Sequence, residues 1–341
     1  MTRFNVAALV LAARAVSAQT PAPPTAPPII DMHLHASRIA DYRALLGDAP
    51  RLPHCVPMTD YPVPASGRAW RDSVRSTSLS CRATLSAASD EELMARSLEI
   101  MRRRNVIGVT SGPPSVVARW KSAAPDRVIA SMSLTGAPGS PPPDSVRAWL
   151  RSGRFAVIGE VTAQYGGLAP DHPALEPYWA VATQLDVPVG IHIGTGPVGA
   201  PYLAFDRYRA RLHSPLGLEE VLVRHPELRV YIMHAGWPML DDLLAVLWTH
   251  PHVYVDVGAI SWALPRAEFH RYLRRIVESG FGKRVLFGSD QMVWPETIEV
   301  AIASIESADF LTAEQKRDIL YNNAARFLRL SEGEIARHHG R

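Results

Sequence analysis

Eight short apolar segments alternate with helical segments along most of the chain. The apolar segments predict strands near 29–35, 106–110, 127–134, 156–161, 187–192, 229–234, 253–256 and 284–287. Such strands, apolar over their whole length, are typical of parallel sheets that helices cover on both faces. Eight strand–helix units over roughly 300 residues predict an α/β fold, a (β/α)8 TIM barrel. A doubly wound open sheet is the alternative, but no Gly-rich nucleotide-binding motif follows any strand.

Composition narrows the classes of function. The chain has 341 residues, of which 47% are apolar and 20% charged, enough for one large domain or two smaller ones. The net charge is +3, and basic and acidic residues are mixed. Without a basic block that could neutralise phosphates, we expect no nucleic-acid partner.

The N-terminus is typical of a secretory signal. Arg3 precedes an apolar run, Val6 to Ala13, and the small residues at 16–18 resemble a cleavage site. The alternative is a disordered leader. We expect residues 1–18 to be removed, residues 19–27 to form a Pro-rich linker, and the protein to be periplasmic or secreted. The apolar run is too short to span a membrane.

A long insertion follows the first strand, at about 36–88, and shows no sustained helical or strand period. A long irregular segment in a compact domain is usually functional, so we expect it to cover the site as a lid. It contains the two cysteines of the chain, Cys55 and Cys81. In an exported protein they predict a disulfide, and in a cytosolic one two free thiols.

Residues of metal-ligand type lie at the carboxyl ends of five predicted strands: His33, His35, Glu160, His192, His234 and Asp290. In a parallel barrel the carboxyl ends of the strands meet on one face, where active sites lie. Histidines together with carboxylates suit a divalent ion such as Zn²⁺, with room for one or two ions. Taken singly, each has a structural alternative, such as a hydrogen-bonded histidine, an ion pair or a helix cap.

These motifs resemble a known family. Asp31-x-His33-x-His35, Gly159-Glu160, His192, His234-x-Gly236 and Gly288-Ser289-Asp290 are similar to the amidohydrolase superfamily. The ending from Ile319 to Leu328 resembles its family 2 branch, which includes aminocarboxymuconate-semialdehyde decarboxylase-like proteins. The resemblance implies a distorted barrel at 28–330, followed by a C-terminal tail at 331–341. It also implies a homodimer as one option.

The resemblance implies roles for the ligand-type residues. His33, His35, His192 and Asp290 would bind metal, and His234 would be a ligand or a catalytic group. Decarboxylase-type members typically use one metal and need no carboxylate at strand four, whereas superfamily hydrolases with two metals carry a bridging Lys or Glu there. Glu160 therefore favours two metals over one, and hydrolysis over decarboxylation.

The expected activity is a metal-dependent hydrolase for an amide, ester or lactone, with Asp290 as proton acceptor and His234 as ligand or oxyanion stabiliser. A non-oxidative decarboxylase of a small aromatic or unsaturated acid is the main alternative. A TatD-like nuclease and a non-enzymatic metal-binding protein are less favoured. Polar and aromatic residues in loops after the strands predict a small, partly apolar substrate: Tyr165, Thr195, Trp237, Trp262, Gln291 and Trp294.

Overall fold

The computed structural model describes residues 26–340, except 60, 62, 77–80, 82 and 137–139. The expected leader at 1–18 and most of the expected linker lie outside the described residues. Eight parallel strands form one sheet in chain order. They are β1 (Ile29–His35), β2 (Val106–Ser111), β3 (Val128–Leu134), β4 (Val157–Val161), β5 (Val189–His192), β6 (Val230–Met233), β7 (Tyr254–Asp256) and β8 (Val285–Leu286).

The sheet curves round until its last strand meets its first. Met32 N donates a hydrogen bond of 2.8 Å to Phe287 O, and Asp290 N donates one of 2.6 Å to His33 O. The hydrogen-bond register shifts within the β1–β2, β3–β4 and β4–β5 pairs. The predicted (β/α)8 barrel is therefore confirmed, with local distortions of the ladder.

Helices follow the strands and surround the barrel. Ser89 begins one of them by accepting a hydrogen bond from Glu92 N, in a first turn with three acidic residues. The helices are Ile39–Leu46, Trp70–Ser76, Asp90–Arg103, Pro114–Ala123, Pro143–Arg151, Glu176–Gln184, Ala200–Leu203, Glu219–Arg224, Leu240–Thr249, Ile260–Ala263, Arg266–Ile276, Thr297–Glu306, Ala313–Arg317, Asn323–Leu328 and Glu332–His338. None of the helices in the described part of the chain is long and apolar enough to cross a membrane.

The strands carry buried side chains on both faces of the sheet. One cluster lies inside the barrel and includes Met32, Val157 and Tyr231, whereas a larger one joins the outer strand faces to the helices. Tyr231 donates a hydrogen bond of 3.0 Å to Met32 O across the interior. A Cβ at Gly190 would lie 2.4 Å from the Tyr231 ring, so the glycine makes room for this buried aromatic side chain.

The insertion contains more regular structure than its sequence pattern indicates. It holds the helices Ile39–Leu46 and Trp70–Ser76 and a pair of two-residue antiparallel strands, Pro53–His54 and Thr84–Leu85. These elements span only one or two turns or a single bridge, too short to produce a clear sequence period. The predicted disulfide is confirmed: Cys55 and Cys81 are bonded, with their Cα atoms 5.8 Å apart.

The insertion lies against loops at the carboxyl ends of the strands. Trp70 Nε1 donates a hydrogen bond of 2.9 Å to Val198 O, in the loop after β5. Trp294 Nε1, after β8, donates one of 2.9 Å to Leu52 O. These contacts place the insertion on the same face of the barrel as the predicted ligands.

The expected C-terminal tail forms a helix, Glu332–His338. Ser331 and Glu334 form a capping box at its start, and this Ser-x-x-Glu pattern is visible in the sequence. His338 Nδ1 lies 3.1 Å from Tyr321 Oη, and its carbonyl accepts a bond from Asn105 Nδ2. The segment therefore packs against the amino-terminal side of the barrel.

We expect replacement of both cysteines, in a Cys55→Ser/Cys81→Ser variant, to loosen the insertion and spare the barrel. The bond closes a loop with a sequence separation of 26 residues, and its loss should cost the insertion about 2–4 kcal/mol. Limited proteolysis followed by mass spectrometry should show faster cleavage within 36–88, while circular dichroism of the barrel stays unchanged. Equal cleavage rates in both proteins would show that the disulfide does not hold the insertion.

Candidate metal centre

The six predicted ligands converge at the carboxyl ends of the strands. His33 and His35 come from β1, Glu160 from β4 and His192 from β5. His234 directly follows β6, and Asp290 follows β8. All six side chains are buried or nearly so, at most 13% exposed. The barrel thus assembles residues that are up to 257 positions apart in sequence, the difference between 290 and 33.

One group of ligand atoms is formed by His33, His35 and Asp290. Asp290 Oδ1 lies 3.0 Å from His35 Nε2 and 3.8 Å from His33 Nε2. These atoms are close enough together to hold one metal ion. Two imidazoles and a carboxylate are ligands that zinc and similar divalent ions accept.

A second group is formed by His192, His234 and Glu160. His234 Nε2 lies 3.0 Å from His192 Nδ1 and 3.6 Å from Glu160 Oε1, and His192 Nδ1 contacts the same carboxylate oxygen. Glu160 also faces the first group, with Oε1 4.0 Å from His33 Nε2 and Oε2 3.7 Å from His35 Nε2. Its carboxylate therefore lies between the two groups.

The backbone turns sharply where two of the ligands leave their strands. His234 has φ 59° and Asp290 has φ 49°, the left-handed region that non-glycine residues rarely adopt. His234 N is held by Asp256 Oδ1 at 3.0 Å, and Asp290 N by His33 O. Such conformations persist only where the surroundings enforce them, and they are common at functional sites.

Hydrogen bonds from the protein hold the β1 ligands in place. Asp31 Oδ1 accepts from His33 N and from Ser289 N, each at 3.0 Å. The Gln291 amide pairs with the His35 backbone, accepting from its N at 3.0 Å and donating to its O at 2.7 Å. Burial raises the pKa of the Asp31 carboxyl to about 7, against the opposing hydrogen bonds from Ser289. The first strand and the loop after β8 are therefore tied together beside the ligands.

The donor set fits a metal. His33 Nε2 is buried, is turned toward the carboxylates of Glu160 and Asp290, and has no hydrogen-bond partner among the described residues. A buried polar atom without a partner is costly, and a metal ion would satisfy it. His234 Nδ1 lies 3.0 Å from Gly258 O and donates to it, which leaves the Nε2 lone pair for a metal.

Electrostatics at the centre are dominated by carboxylates. Burial alone would lower the pKa of His33, but the carboxylates of Asp290 and Asp256 outweigh it and raise that pKa to about 10. Burial would raise the pKa of Glu160, yet the adjacent His192 holds it well below its usual value. The Glu160 carboxylate thus stays ionised and attracts positive charge, which suits a divalent cation.

Three of the predicted substrate-binding residues lie in loops beside the second group. Tyr165 Oη is 3.3 Å from His192 Nε2, and the two rings meet edge to face at 4.9 Å. Thr195 N donates to Trp237 O at 2.9 Å, and the Trp237 indole donates to Glu268. Tyr165 therefore touches a ligand residue, whereas Thr195 and Trp237 brace neighbouring loops. Their contact with a substrate stays a prediction.

The other three predicted substrate-binding residues are buried and bonded to the protein. Trp262 Nε1 donates to Ser289 O at 2.7 Å, and Trp294 Nε1 donates to the insertion. Gln291 is fully buried against the His35 backbone. These side chains support the walls of the site, and direct contact with a substrate stays a prediction for them as well.

Sequence reasoning missed three residues at this face. Asp256 ends β7 and contacts His33; the strand-end rule that found the other ligands would have marked it. His213, which the sequence places in a loop on this face without a defined role, is fully buried with its ring 5.4 Å from that of His192, and burial lowers its pKa to about 3. Tyr42 lies in the insertion; burial, then the Asp290 carboxylate, raises its pKa. No local pattern marks the last two.

A family model described as "Amidohydrolase", of the amidohydrolase-2 branch, matches residues 30–330. Because the match covers most of the chain, the chain belongs to this family. The resemblance drawn from the motifs is thereby confirmed. The family membership, the barrel and the candidate ligand groups together define a metal-dependent type of enzyme that acts on small molecules.

Several solved structures share the fold. A dihydroxybenzoic acid decarboxylase from Polaromonas sp. JS666, with bound manganese and the inhibitor 2-nitroresorcinol, matches with TM-score 0.55 and 15% identity over 91% of this chain and 99% of that one. A probable 2-pyrone-4,6-dicarboxylic acid hydrolase from Acinetobacter baumannii, with citric acid bound, gives 0.54 and 14% over 89% and 99%. A 4-oxalomesaconate hydratase from Rhodopseudomonas palustris gives 0.53 and 18% over 91% and 98%.

One curated relative is Protein fluG from Emericella nidulans. It is 24% identical over 169 residues, which cover 45% of this chain. The chain spans only 18% of the length of that protein. The relatives named above include a decarboxylase, a hydrolase and a hydratase, so the reaction of this chain does not follow from its fold.

We expect Glu160→Gln to lower the metal content of the purified protein. The amide keeps the size of the side chain but loses the charge that faces both ligand groups. Elemental analysis after dialysis should show about two ions per chain in the wild type and fewer in the variant. Glu176→Gln, which removes a carboxylate paired with His225 away from the centre, is the matched control. A metal content of one ion per chain that is the same in the wild type and in Glu160→Gln would indicate a single-metal site.

Proposed function

We propose that the protein is a hydrolase with two divalent metal ions, most simply Zn²⁺, acting on an amide, ester or lactone. The observation that carries the proposal is the Glu160 carboxylate between the two ligand groups. His33, His35 and Asp290 would hold one ion, and His192 and His234 the other. When bound, such ions act as Lewis acids that polarise a substrate carbonyl and lower the pKa of water.

Asp290 is the proposed proton acceptor. Its Oδ1 faces His35 Nε2 at 3.0 Å and its Oδ2 lies 3.9 Å from His234 Nδ1, so the carboxylate is fixed between the two groups. From this position it can take a proton from the attacking water and return it to the leaving group. We assign His234 as a ligand because its Nδ1 proton is committed to Gly258 O.

Aromatic rings beside the second ligand group support a partly apolar substrate. Tyr165 lies 4.7 Å from the Phe205 ring and 5.5 Å from the Tyr208 ring. Gly196 N donates to Tyr208 Oη at 2.8 Å, which anchors the loop after β5 to this cluster. A wall of rings with a hydroxyl at its edge suits a ring or acyl group next to the scissile bond.

A metal-dependent decarboxylase is the second candidate. Four of the structural relatives are named as decarboxylases, of 2,6-dihydroxybenzoate, 5-carboxyvanillate or dihydroxybenzoic acid. In that case a single ion would position the substrate, and Glu160 would orient His192 and would not bridge two ions. The decarboxylase releases carbon dioxide without consuming water, so the two candidates differ in their products.

We also propose that the protein is exported to the periplasm or the medium, with residues 1–18 removed. The disulfide between Cys55 and Cys81 supports an oxidising compartment. Mass spectrometry of the protein from the exported fraction should find a chain that begins at Gln19. A homodimer is a further prediction, which light scattering would test.

We expect Asp290→Asn to leave the fold intact and to lower kcat by about 10²–10⁴, the range typical of a positioned proton-transfer group. Turnover is followed on a panel of aryl esters and lactones, with circular dichroism to verify folding. Metal content is measured in the same samples, because loss of a ligand would also reduce it. A variant that retains its metal and its full kcat would rule out this role.

Labelled water separates the two candidate reactions. A hydrolase in H₂¹⁸O should place ¹⁸O in the acid product and release no carbon dioxide. A decarboxylase incubated with a panel of hydroxybenzoates should release carbon dioxide and incorporate no ¹⁸O into its phenol product. The second result, without turnover of any ester, amide or lactone, would replace the hydrolase proposal.

A further inference from the structure

We propose that Asp256 is a positioning residue, which sets the metal-binding tautomer of His33 and at the same time fixes His234. The inference rests on the metal centre of the proposed function, but not on the reaction that the centre catalyses. Asp256 ends β7, one of three strands that contribute no ligand to either group. Its effect on the metal would therefore pass through its neighbours.

The Asp256 carboxylate is fully buried and both of its oxygens are engaged. Oδ2 lies 3.1 Å from His33 Nδ1. Oδ1 accepts from His234 N at 3.0 Å and from Gly258 N at 2.8 Å. One side chain thus contacts the imidazole of a ligand from the first group and the backbone of a ligand from the second.

The chemistry of a carboxylate determines which nitrogen of His33 carries the proton. An ionised carboxylate only accepts hydrogen bonds, so a bond to it requires the proton on Nδ1. The lone pair then lies on Nε2, the atom that faces Glu160 and Asp290. A histidine ligand whose other nitrogen donates to a carboxylate is held in orientation and is a stronger base toward the metal.

Two glycines bring the surrounding backbone close to His33. A Cβ at Gly258 would lie 2.6 Å from His33 Nδ1, and one at Gly288 would lie 2.9 Å from His33 Cβ. The two glycines therefore pack directly against the imidazole and the Asp256 carboxylate. This close packing restricts movement of the imidazole relative to the carboxylate.

The same carboxylate also stabilises the sharp turn at His234. The backbone of His234 is left-handed, and the bond from its N–H to Oδ1 is one that such a turn needs. A shift of Asp256 would thus move a ligand of each group. The geometry assigns to β7 the alignment of the two groups.

The variant Asp256→Asn tests whether the Asp256 carboxylate sets the position of the proton on His33. Asn Oδ1 can still accept from His234 N and Gly258 N, so the turn is preserved. Its Nδ2 can only donate, and facing His33 Nδ1 it requires the lone pair there, which moves the proton to Nε2 and blocks the metal-binding nitrogen. Loss of the carboxylate should weaken metal binding about 10- to 100-fold.

Two measurements give the result without any substrate. Competition between the protein and a chelator for Zn²⁺ gives the affinity of each variant. Nitrogen-15 NMR of the zinc-loaded, histidine-labelled protein shows which nitrogen of His33 carries a proton, with the signal identified by its absence in His33→Gln. We expect Nδ1–H in the wild type, loss of that signal in Asp256→Asn, and zinc binding weakened 10-fold or more.

Asp318→Asn is the matched control, because Asp318 is a mostly buried carboxylate paired with Lys283 outside the centre. It should leave zinc affinity unchanged. Zinc affinity of Asp256→Asn within twofold of the wild type, or an Nε2–H signal for His33 in the wild type, would overturn the proposal. Should Asp256→Asn fail to fold, the wild-type spectrum alone decides. Absence of esterase, amidase or lactonase turnover would count against the hydrolase but not against this assignment.

Discussion

The join between the first and the last strand of the barrel is the constraint on which the metal centre depends. Asp31 Oδ1 accepts from His33 N and Ser289 N, and Asp290 N donates to His33 O. These bonds bring the two ends of the sheet together beside the ligands. If the join opened, Asp290 would separate from the β1 histidines, and the first ligand group would no longer exist. The contacts that join the two ends of the sheet are therefore also the contacts that bring the first ligand group together.

A concentration of buried charge follows from that assembly. Carboxylates of Glu160, Asp256 and Asp290 lie within 4 Å of imidazole nitrogens, in surroundings from which water is mostly excluded. Uncompensated charges are costly to bury, and the histidines compensate them only in part. The arrangement gains most from a cation that Glu160 and Asp290 can face, while Asp256 stays paired with His33. Burial of this charged cluster lowers the stability of the fold, as is common at functional sites.

The insertion packs against aromatic side chains of the loops at the carboxyl ends of the strands. The His54 ring meets Trp262 at 5.5 Å and Trp294 at 4.9 Å, both edge to face. Both indoles are almost fully buried, and their N–H groups are bonded to backbone oxygens. Aromatic residues that a bare barrel would leave exposed thus pack against the insertion. The rings that stay next to the ligands belong to the loops after β4 and β5.

The sequence by itself determined the order of the strands, most of their bounds and the six residues of the two ligand groups. Apolar runs and strand-end polar residues are local signals, and a parallel barrel has only one face where strand ends meet. The disulfide between the two cysteines could also be predicted from the sequence. Only the tertiary structure decided that Glu160 lies between two groups and that Asp256 holds His33. It alone showed that Trp262 and Trp294 face the insertion. These depend on distances between segments far apart in the chain, and such distances have no local signature.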